Sequence, residues 1–166
     1  MSIDKAKGSL KEVVEADNKK QIFKWLLKMP LMMEIDDELS GNSFLISHAG
    51  IPEIWSPKKT KELASEVTSL LQKNPLKVLQ SMWGDNPNKW HDELIDDERY
   101  RIIINYLTRM RFVDKNCALD LKNNTVTAAA GYKPWFKYSS ESSLEHAKYR
   151  CSGFISVGKS SSKSSV

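Results

Sequence analysis

Basic and aromatic side chains occur together in the second half of the sequence, a combination that suits a phosphate-bearing ligand. The basic residues are Arg99, Arg101, Arg109, Arg111 and Lys133. The aromatic residues near them are Trp83, Trp90, Tyr132 and Trp135. Guanidinium groups donate paired hydrogen bonds to phosphate oxygens, and aromatic faces stack on nucleobases. A solvated helix face with tryptophans in the core has the same composition, so these residues alone leave both interpretations open.

His48 is the candidate metal ligand. It follows the apolar run Phe44-Leu45-Ile46, which predicts a buried strand, and Gly50 lets the chain turn directly after it. Strand ends in open α/β sheets are common positions for ligand-binding residues, and a neutral imidazole binds divalent cations. Most single histidines beside a strand are only hydrogen-bonded, and a metal needs about four to six ligands. His48 alone therefore does not make a metal site.

A phosphate-binding P-loop pattern, GxxxxGK[ST], spans Gly153 to Ser160. In a P-loop, backbone N–H groups surround the phosphates, and the lysine and serine contact phosphate and magnesium. That loop must lead into a helix, but only Ser-Ser-Lys-Ser-Ser-Val follows Ser160. We therefore interpret the match as a coincidence in a serine-rich segment, and a P-loop ATPase is the weakest of the functional alternatives.

Composition and charge limit the class of protein. The chain has 166 residues and 18.9 kDa, with 40% hydrophobic and 28% charged residues, which is typical of a globular protein and excludes a collagen or a fully disordered chain. Its net charge is +4, divided into −3 for residues 1–100 (14 basic and 17 acidic) and +7 for residues 101–166 (11 basic and 4 acidic). The sequence has no apolar run of membrane-spanning length and no signal-peptide core. Its two cysteines are too few for a disulfide framework, and we expect a cytoplasmic protein.

Hydrophobic periodicity predicts an α/β (α+β), helix-rich chain. Helices are expected at 18–29, at 57–71 after the Ser56-Pro57 cap, at 76–82 and at 96–111; strands are expected at 31–35 and 43–47, with a weaker one at 118–121. On the helix at 96–111, Asn105 is expected off the apolar face. Residues 131–136 are expected to form an aromatic loop. The domain division places a folded part at 1–150 and a disordered Ser/Lys-rich tail at 151–166.

Five segments together carry a resemblance to one family. They are Phe44-Leu45-Ile46-Ser47-His48-Ala49-Gly50-Ile51, Met82-Trp83-Gly84-Asp85-Asn86-Pro87-Asn88-Lys89-Trp90, Arg99-Tyr100-Arg101, Leu107-Thr108-Arg109-Met110-Arg111-Phe112 and Tyr132-Lys133-Pro134-Trp135-Phe136. In this order and spacing they resemble the bacterial symmetrical bis(5'-nucleosyl)-tetraphosphatases, which are calcineurin-like metallophosphoesterases. The resemblance covers about residues 11–149 and corresponds to the middle and late portion of the family.

The resemblance implies a calcineurin-like sandwich of two β-sheets flanked by helices, with two divalent metals (Mn, Co or Mg) at the strand ends. It implies hydrolysis of the dinucleoside polyphosphate diadenosine tetraphosphate to two ADP. His48 matches a metal ligand of the family, and Arg99 or Arg101 falls where a phosphate-binding arginine is expected. Arg109, Arg111, Lys133 and Trp135 match positions near the substrate.

The sequence also departs from the family. The segments Gly-Asp-x-His-Gly, Gly-Asp-Leu-x-x-Arg-Gly and Gly-Asn-His-Asp, and the later Gly-His-Trp, do not occur in it. We therefore expect an incomplete sandwich, a truncated or split form that is inactive alone, with a complementary N-terminal fragment as a candidate partner. Two alternatives stay open: a nucleotide-binding module without catalysis, and a small basic nucleic-acid-binding protein, which the acidic first hundred residues disfavour. No membrane partner is expected.

Overall fold

The computed structural model describes residues 9–39, 42–138 and 149–153, and it confirms the expected mixture of helices and strands. The described helices are α1 (Ser9–Glu15), α2 (Lys19–Leu26), α3 (Pro57–Lys73), α4 (Pro75–Ser81) and α5 (Asp96–Arg109). The described strands are β1 (Met32–Asp37), β2 (Asn42–Ser47), β3 (Phe112–Val113), β4 (Lys133–Pro134) and β5 (Tyr149–Gly153). The expected helices and the two main expected strands are therefore present, with shifts of a few residues at their ends.

Helix α3 begins where its capping sequence predicts. The Ser56 hydroxyl accepts a hydrogen bond from the Lys59 backbone N–H at 3.2 Å, and Pro57 occupies the first turn, where a missing N–H leaves no helical bond unmade. Leu63, Ala64 and Val67 lie buried on one face. This apolar face fixes how α3 packs against the rest of the core.

Helix α5 is buried more completely than its periodicity predicts. All six residues from Ile102 to Leu107 are buried, including Asn105, which has no solvent-exposed surface. The expectation that Asn105 lies off the apolar face is therefore wrong. Its side-chain amide donates to the Gly84 carbonyl at 3.0 Å, and its Oδ1 accepts from Arg109 at 3.0 Å. Both polar ends of the amide are thus satisfied, which makes burial at this position tolerable.

The aromatic residues at the centre of the core come from well-separated segments. Trp55 has no exposed surface and makes edge-to-face contacts with Trp90 and Tyr106, at centroid distances of 5.3 and 5.0 Å. The Tyr106 hydroxyl donates to the Cys117 carbonyl. These contacts hold α5 against the segments on either side of it in sequence.

The larger described sheet has the order β1-β2-β5. Strands β1 and β2 pair antiparallel, from Met32 opposite Ser47 to Asp37 opposite Asn42, as the hairpin prediction requires. Strand β5 pairs parallel to β2, and its backbone extends to Gly153, three residues past the predicted boundary at 150. Residues 154–166, with the rest of the P-loop pattern and the serine-rich tail, lie outside the described residues, so the domain division stays a prediction.

A second, two-stranded sheet supports the loops after α5. Strand β3 pairs antiparallel with β4, with Phe112 opposite Pro134. The predicted strand at 118–121 is reduced to one isolated bridge between Leu119 and Val113, and the predicted aromatic loop instead contains β4 and a short 3₁₀ helix, Trp135–Lys137. Both differences arise from pairing with β3, a contact that local periodicity does not encode. No helix within the described ranges is long and apolar enough to span a membrane.

Candidate functional site

A cleft of about 730 Å³ opens where β2 and α5 end. It is lined by residues of four segments: the turn after β2, the end of α5 with β3, the loop at 120–126, and the start of the 3₁₀ helix. Four of the predicted site residues line it together, namely His48, Arg109, Arg111 and Trp135. The structure therefore brings together residues that are up to 87 positions apart in the sequence, from 48 to 135.

The turn after β2 positions His48 at the edge of this cleft. The Ala49 N–H donates to the Leu107 carbonyl at 2.9 Å, which ties the turn to the end of α5. The buried Ser47 hydroxyl donates to the Gly50 carbonyl at 2.8 Å and closes the turn. His48 itself is exposed, and so its imidazole is accessible from solvent.

Gly50 allows Trp135 to reach the cleft. A Cβ atom at position 50 would lie 2.5 and 2.7 Å from two atoms of the Trp135 indole and 3.0 Å from the Met110 methyl group. The Trp135 backbone N–H also donates to the Arg111 carbonyl at 3.1 Å, and its ring meets the Phe136 ring edge-to-face at 5.9 Å. The backbone and the ring of Trp135 are therefore both held in place. The exposed ring of Phe136 continues the aromatic surface beside it.

Arg109 is held by three acceptors at the end of α5. It donates to the Gly84 carbonyl at 3.1 Å, to Asn105 Oδ1 at 3.0 Å and to an oxygen of Asp85 at 2.9 Å. These contacts connect the cleft to the loop that begins at Gly84, and they fix the orientation of the guanidinium group.

Arg111 lies on the other side of the cleft and is more accessible. Its side chain is exposed and donates to the Asn123 carbonyl at 3.1 Å and to Asn124 Oδ1 at 3.3 Å. Neither acceptor is a carboxylate, so these contacts leave its positive charge uncompensated by an ion pair among the described residues.

Arg99, Arg101 and Lys133 do not line the cleft. Arg99 binds both carboxylate oxygens of Glu66, and Arg101 donates to the Ser81 and Asn86 carbonyls at 2.7 Å each. The hydrogen bonds to Glu66 raise the pKa of the Arg99 guanidinium, which keeps it charged. Lys133 lies over the Tyr138 ring at 5.5 Å. Their predicted contact with substrate stays a prediction.

The loop that forms the far side of the cleft is not predicted from the sequence. Asp120, Asn124 and Thr125 line it, although the sequence around Asp120 indicated only a weak strand. The Asp120 N–H donates to the Phe112 carbonyl at 3.1 Å, and its Oδ1 accepts from the Asn123 N–H at 3.3 Å. No local pattern predicts this position, because the contact with β3 that creates it is a tertiary one.

The described residues do not fit a complete metal site. His48 and Asp120 are the only side chains of the ligand types His, Cys, Asp and Glu in the cleft lining. Across the described ranges, no three such side chains cluster closely enough to hold a metal ion. Because two ligands fall short of the four to six that divalent metals require, these residues alone do not supply the two-metal site that the resemblance implies.

The cleft combines two guanidinium groups with an aromatic surface, and these side-chain types suit phosphate oxygens and flat rings respectively. Several curated proteins are similar to the chain. The symmetrical bis(5'-nucleosyl)-tetraphosphatase of Marinomonas sp. (strain MWYL1) is 40% identical over 133 residues, covering 78% of this chain and 47% of the relative. Those of Pseudomonas entomophila (strain L48) and Pseudomonas putida (strain W619) are 42% identical over 138 and 148 residues, covering 81% and 87% of this chain and 47% and 50% of the relatives.

These matches confirm the resemblance to the symmetrical bis(5'-nucleosyl)-tetraphosphatases over about four fifths of the chain. The chain spans about half the length of these curated relatives. No protein-family model matches it.

Proposed function

We propose that the cleft binds a dinucleoside polyphosphate, with diadenosine tetraphosphate as its preferred ligand. In this proposal the described elements are part of a calcineurin-like metallophosphoesterase sandwich whose complete form splits that ligand into two ADP. The observation that carries the proposal is the meeting of His48, Arg109, Arg111 and Trp135 in one cleft of a chain with relatives of this name.

Arg109 and Arg111 are the proposed phosphate-binding residues. Arg111 is exposed, and its hydrogen bonds go to the neutral acceptors of Asn123 and Asn124. It forms no ion pair with the described residues, so a phosphate group would supply the negative charge that they do not. Arg109 is already paired with Asp85, at 2.9 Å, and therefore has less positive charge to offer. We expect Arg111 to provide the larger share of the phosphate affinity.

Trp135 and Phe136 are the proposed contacts for a nucleobase. Phe136 is 57% exposed at the cleft, and the Trp135 ring behind it is fixed against Gly50. An aromatic surface that is held in place before binding loses little side-chain entropy when a base stacks on it. Stacking contributes about 1–3 kcal/mol per base in comparable sites.

We propose that the chain alone binds this ligand without turnover. The described residues offer His48 as a candidate ligand of one divalent metal but no cluster of three. Hydrolysis then needs metal ligands from outside these residues, and polypeptide equivalent to the unmatched half of the relatives is the proposed source.

Calorimetric titration of the purified chain with diadenosine tetraphosphate, in EDTA and then with manganese, tests the proposal. We expect binding in both conditions, no release of ADP, and an affinity about tenfold lower in Arg111→Ala, the effect of one lost charge-assisted contact. Lys58→Ala, which removes a positive charge on α3 outside the cleft, is the matched control.

Two results would contradict the proposal. If the folded chain does not bind diadenosine tetraphosphate, the proposed nucleotide-binding function is wrong. Tighter binding of single-stranded RNA, with a steep salt dependence, would favour the alternative of a nucleic-acid-binding protein.

A further inference from the structure

The end of α4 and the residues directly after it are fastened to one row of side chains on α5. Arg101, Asn105 and Arg109 are spaced by four residues and therefore lie on the same face of that helix. Their acceptors lie at 2.7–3.1 Å in residues 81–86 and are the carbonyls of Ser81, Gly84 and Asn86 and the carboxylate of Asp85. We call residues 81–86 the clamped segment. Its backbone is held in place before any ligand binds.

Trp83 lies within the clamped segment and presents its ring to solvent. It is 71% exposed, although the backbone carbonyls on both sides of it are bound to α5. Within the ranges that the structure describes, its indole has neither an aromatic nor a cationic neighbour. An aromatic surface on a fixed backbone loses little conformational entropy when a flat ring stacks on it. Trp83 is therefore suited to stack on a nucleobase.

The position of Trp83 relates it to the two arginines of the cleft. Trp83 directly precedes Gly84, whose carbonyl accepts from Arg109 at 3.1 Å. Trp135 is joined to the other arginine, since its backbone N–H donates to the Arg111 carbonyl at 3.1 Å. Each tryptophan thus lies next to a different member of the arginine pair. Because Trp83 is not part of the cleft lining while Arg109 is, Trp83 borders the cleft beside Arg109.

We propose that Trp83 is a second base-stacking residue of the site. One base of a dinucleoside polyphosphate stacks on Trp135 and Phe136, its phosphates are bound by Arg109 and Arg111, and its other base stacks on Trp83. A ligand of this class has two flat rings joined by a negatively charged chain, and two aromatic surfaces with arginines between their points of attachment match that chemistry. The inference rests on the proposed function and extends it to the second half of the ligand.

Calorimetric titration of the 166-residue chain in EDTA with two ligands tests the inference. Diadenosine tetraphosphate has two bases, and adenosine 5'-tetraphosphate has as many phosphates but one base. Trp83→Ala should weaken binding of the first at least about fivefold, the effect of losing one stacked base. It should change binding of the second by less than about twofold, because a single base can use the surface of Trp135 and Phe136.

Two further variants separate stacking from a general effect on the chain. Trp83→Phe keeps a flat ring and should retain most of the affinity for diadenosine tetraphosphate. Trp25→Ala removes a tryptophan of α2 that is 58% exposed, and as the matched control it should leave both affinities unchanged.

Nuclear magnetic resonance gives a second readout, which a merely structural role would not move. The indole N–H signal of Trp83 is assigned by its absence from the spectrum of Trp83→Phe. This signal should shift when diadenosine tetraphosphate is added, because a stacked base changes the magnetic environment of the ring, and it should stay in place with inorganic tripolyphosphate.

Three results would overturn the inference. The first is an unchanged affinity of folded Trp83→Ala for diadenosine tetraphosphate, and the second is an equal loss of affinity for both ligands. The third is a Trp83 signal that diadenosine tetraphosphate does not shift. A wild-type chain that binds neither ligand is a different outcome, because it contradicts the proposed function itself and the inference with it.

Discussion

The guanidinium group of Arg99 and the carboxylate of Glu66 form a paired contact between α5 and α3, with Nε–Oε1 and Nη2–Oε2 distances of 2.8 and 2.9 Å. The same guanidinium group lies over the Trp90 ring, 5.0 Å from its centroid. An arginine that the motifs place near phosphate is therefore engaged in holding two helices together.

We expect Arg99→Ala to lower the free energy of unfolding by about 1–2 kcal/mol, less than a fully buried pair would because the Glu66 side chain is about a third exposed. Affinity for diadenosine tetraphosphate should stay within about twofold, since Arg99 does not line the cleft. Urea denaturation and calorimetry measure the two effects, with Glu66→Gln as the matched variant. A loss of affinity in folded Arg99→Ala would instead support the role predicted from the motifs.

Gly50→Ala should impair the cleft through Trp135. The added methyl group would overlap the indole, and overpacking of this kind costs about 1–3 kcal/mol. Displacement of the ring should also reduce nucleotide affinity and alter tryptophan fluorescence.

Gly131→Ala is the control for Gly50→Ala. Its Cβ would meet no atom within 4 Å, but its φ of +84° strains any side chain, so it should affect stability without changing affinity. Equal affinities in the two variants would show that Trp135 does not contribute to binding.

The two arginines of the cleft should respond differently to substitution. Arg109→Ala removes contacts to Gly84, Asn105 and Asp85, and we expect a loss of about 1–2 kcal/mol in stability together with weaker binding. Arg111→Ala should change stability by less than about 0.5 kcal/mol because the side chain is exposed, yet it should weaken binding more. Thermal unfolding and titration of both variants check this, and an Arg111→Ala protein that unfolds as readily as Arg109→Ala would contradict it.

Stability should decline at alkaline pH because of Tyr106. Burial raises the pKa of this tyrosine above its ordinary value of 10.0, so the folded chain keeps the phenol protonated when the unfolded chain has begun to ionise it. Its contribution to stability is therefore complete below about pH 10 and decreases as the pH rises further. Urea denaturation between pH 8 and about pH 11 should show this decrease.

Tyr106→Phe should remove that part of the pH dependence. At neutral pH it should lower stability by about 1–3 kcal/mol, because it leaves the Cys117 carbonyl without the hydroxyl donor. Tyr132→Phe, at a partly buried tyrosine of the loop before β4, is the matched control. An unchanged alkaline slope in Tyr106→Phe would refute the assignment.

The helices and the hairpin could be predicted from the sequence because local chemistry specifies them. Ser56-Pro57 starts α3 by capping it, and the apolar spacing of Leu63 and Val67 gives it a buried face. The apolar run before His48 likewise specifies β2. The motifs also identified the relatives, since residue type and order persist where the chains are similar.

What only the tertiary structure decided is which of these residues meet. Arg99, Arg101 and Arg109 belong to one helix, yet only Arg109 reaches the cleft, because Glu66 and the carbonyl of Ser81 engage the other two from distant segments. The approach of Trp135 to Gly50 likewise depends on packing between segments far apart in the chain. Periodicity and capping act over a few residues, whereas a cleft is formed by contacts across the whole fold.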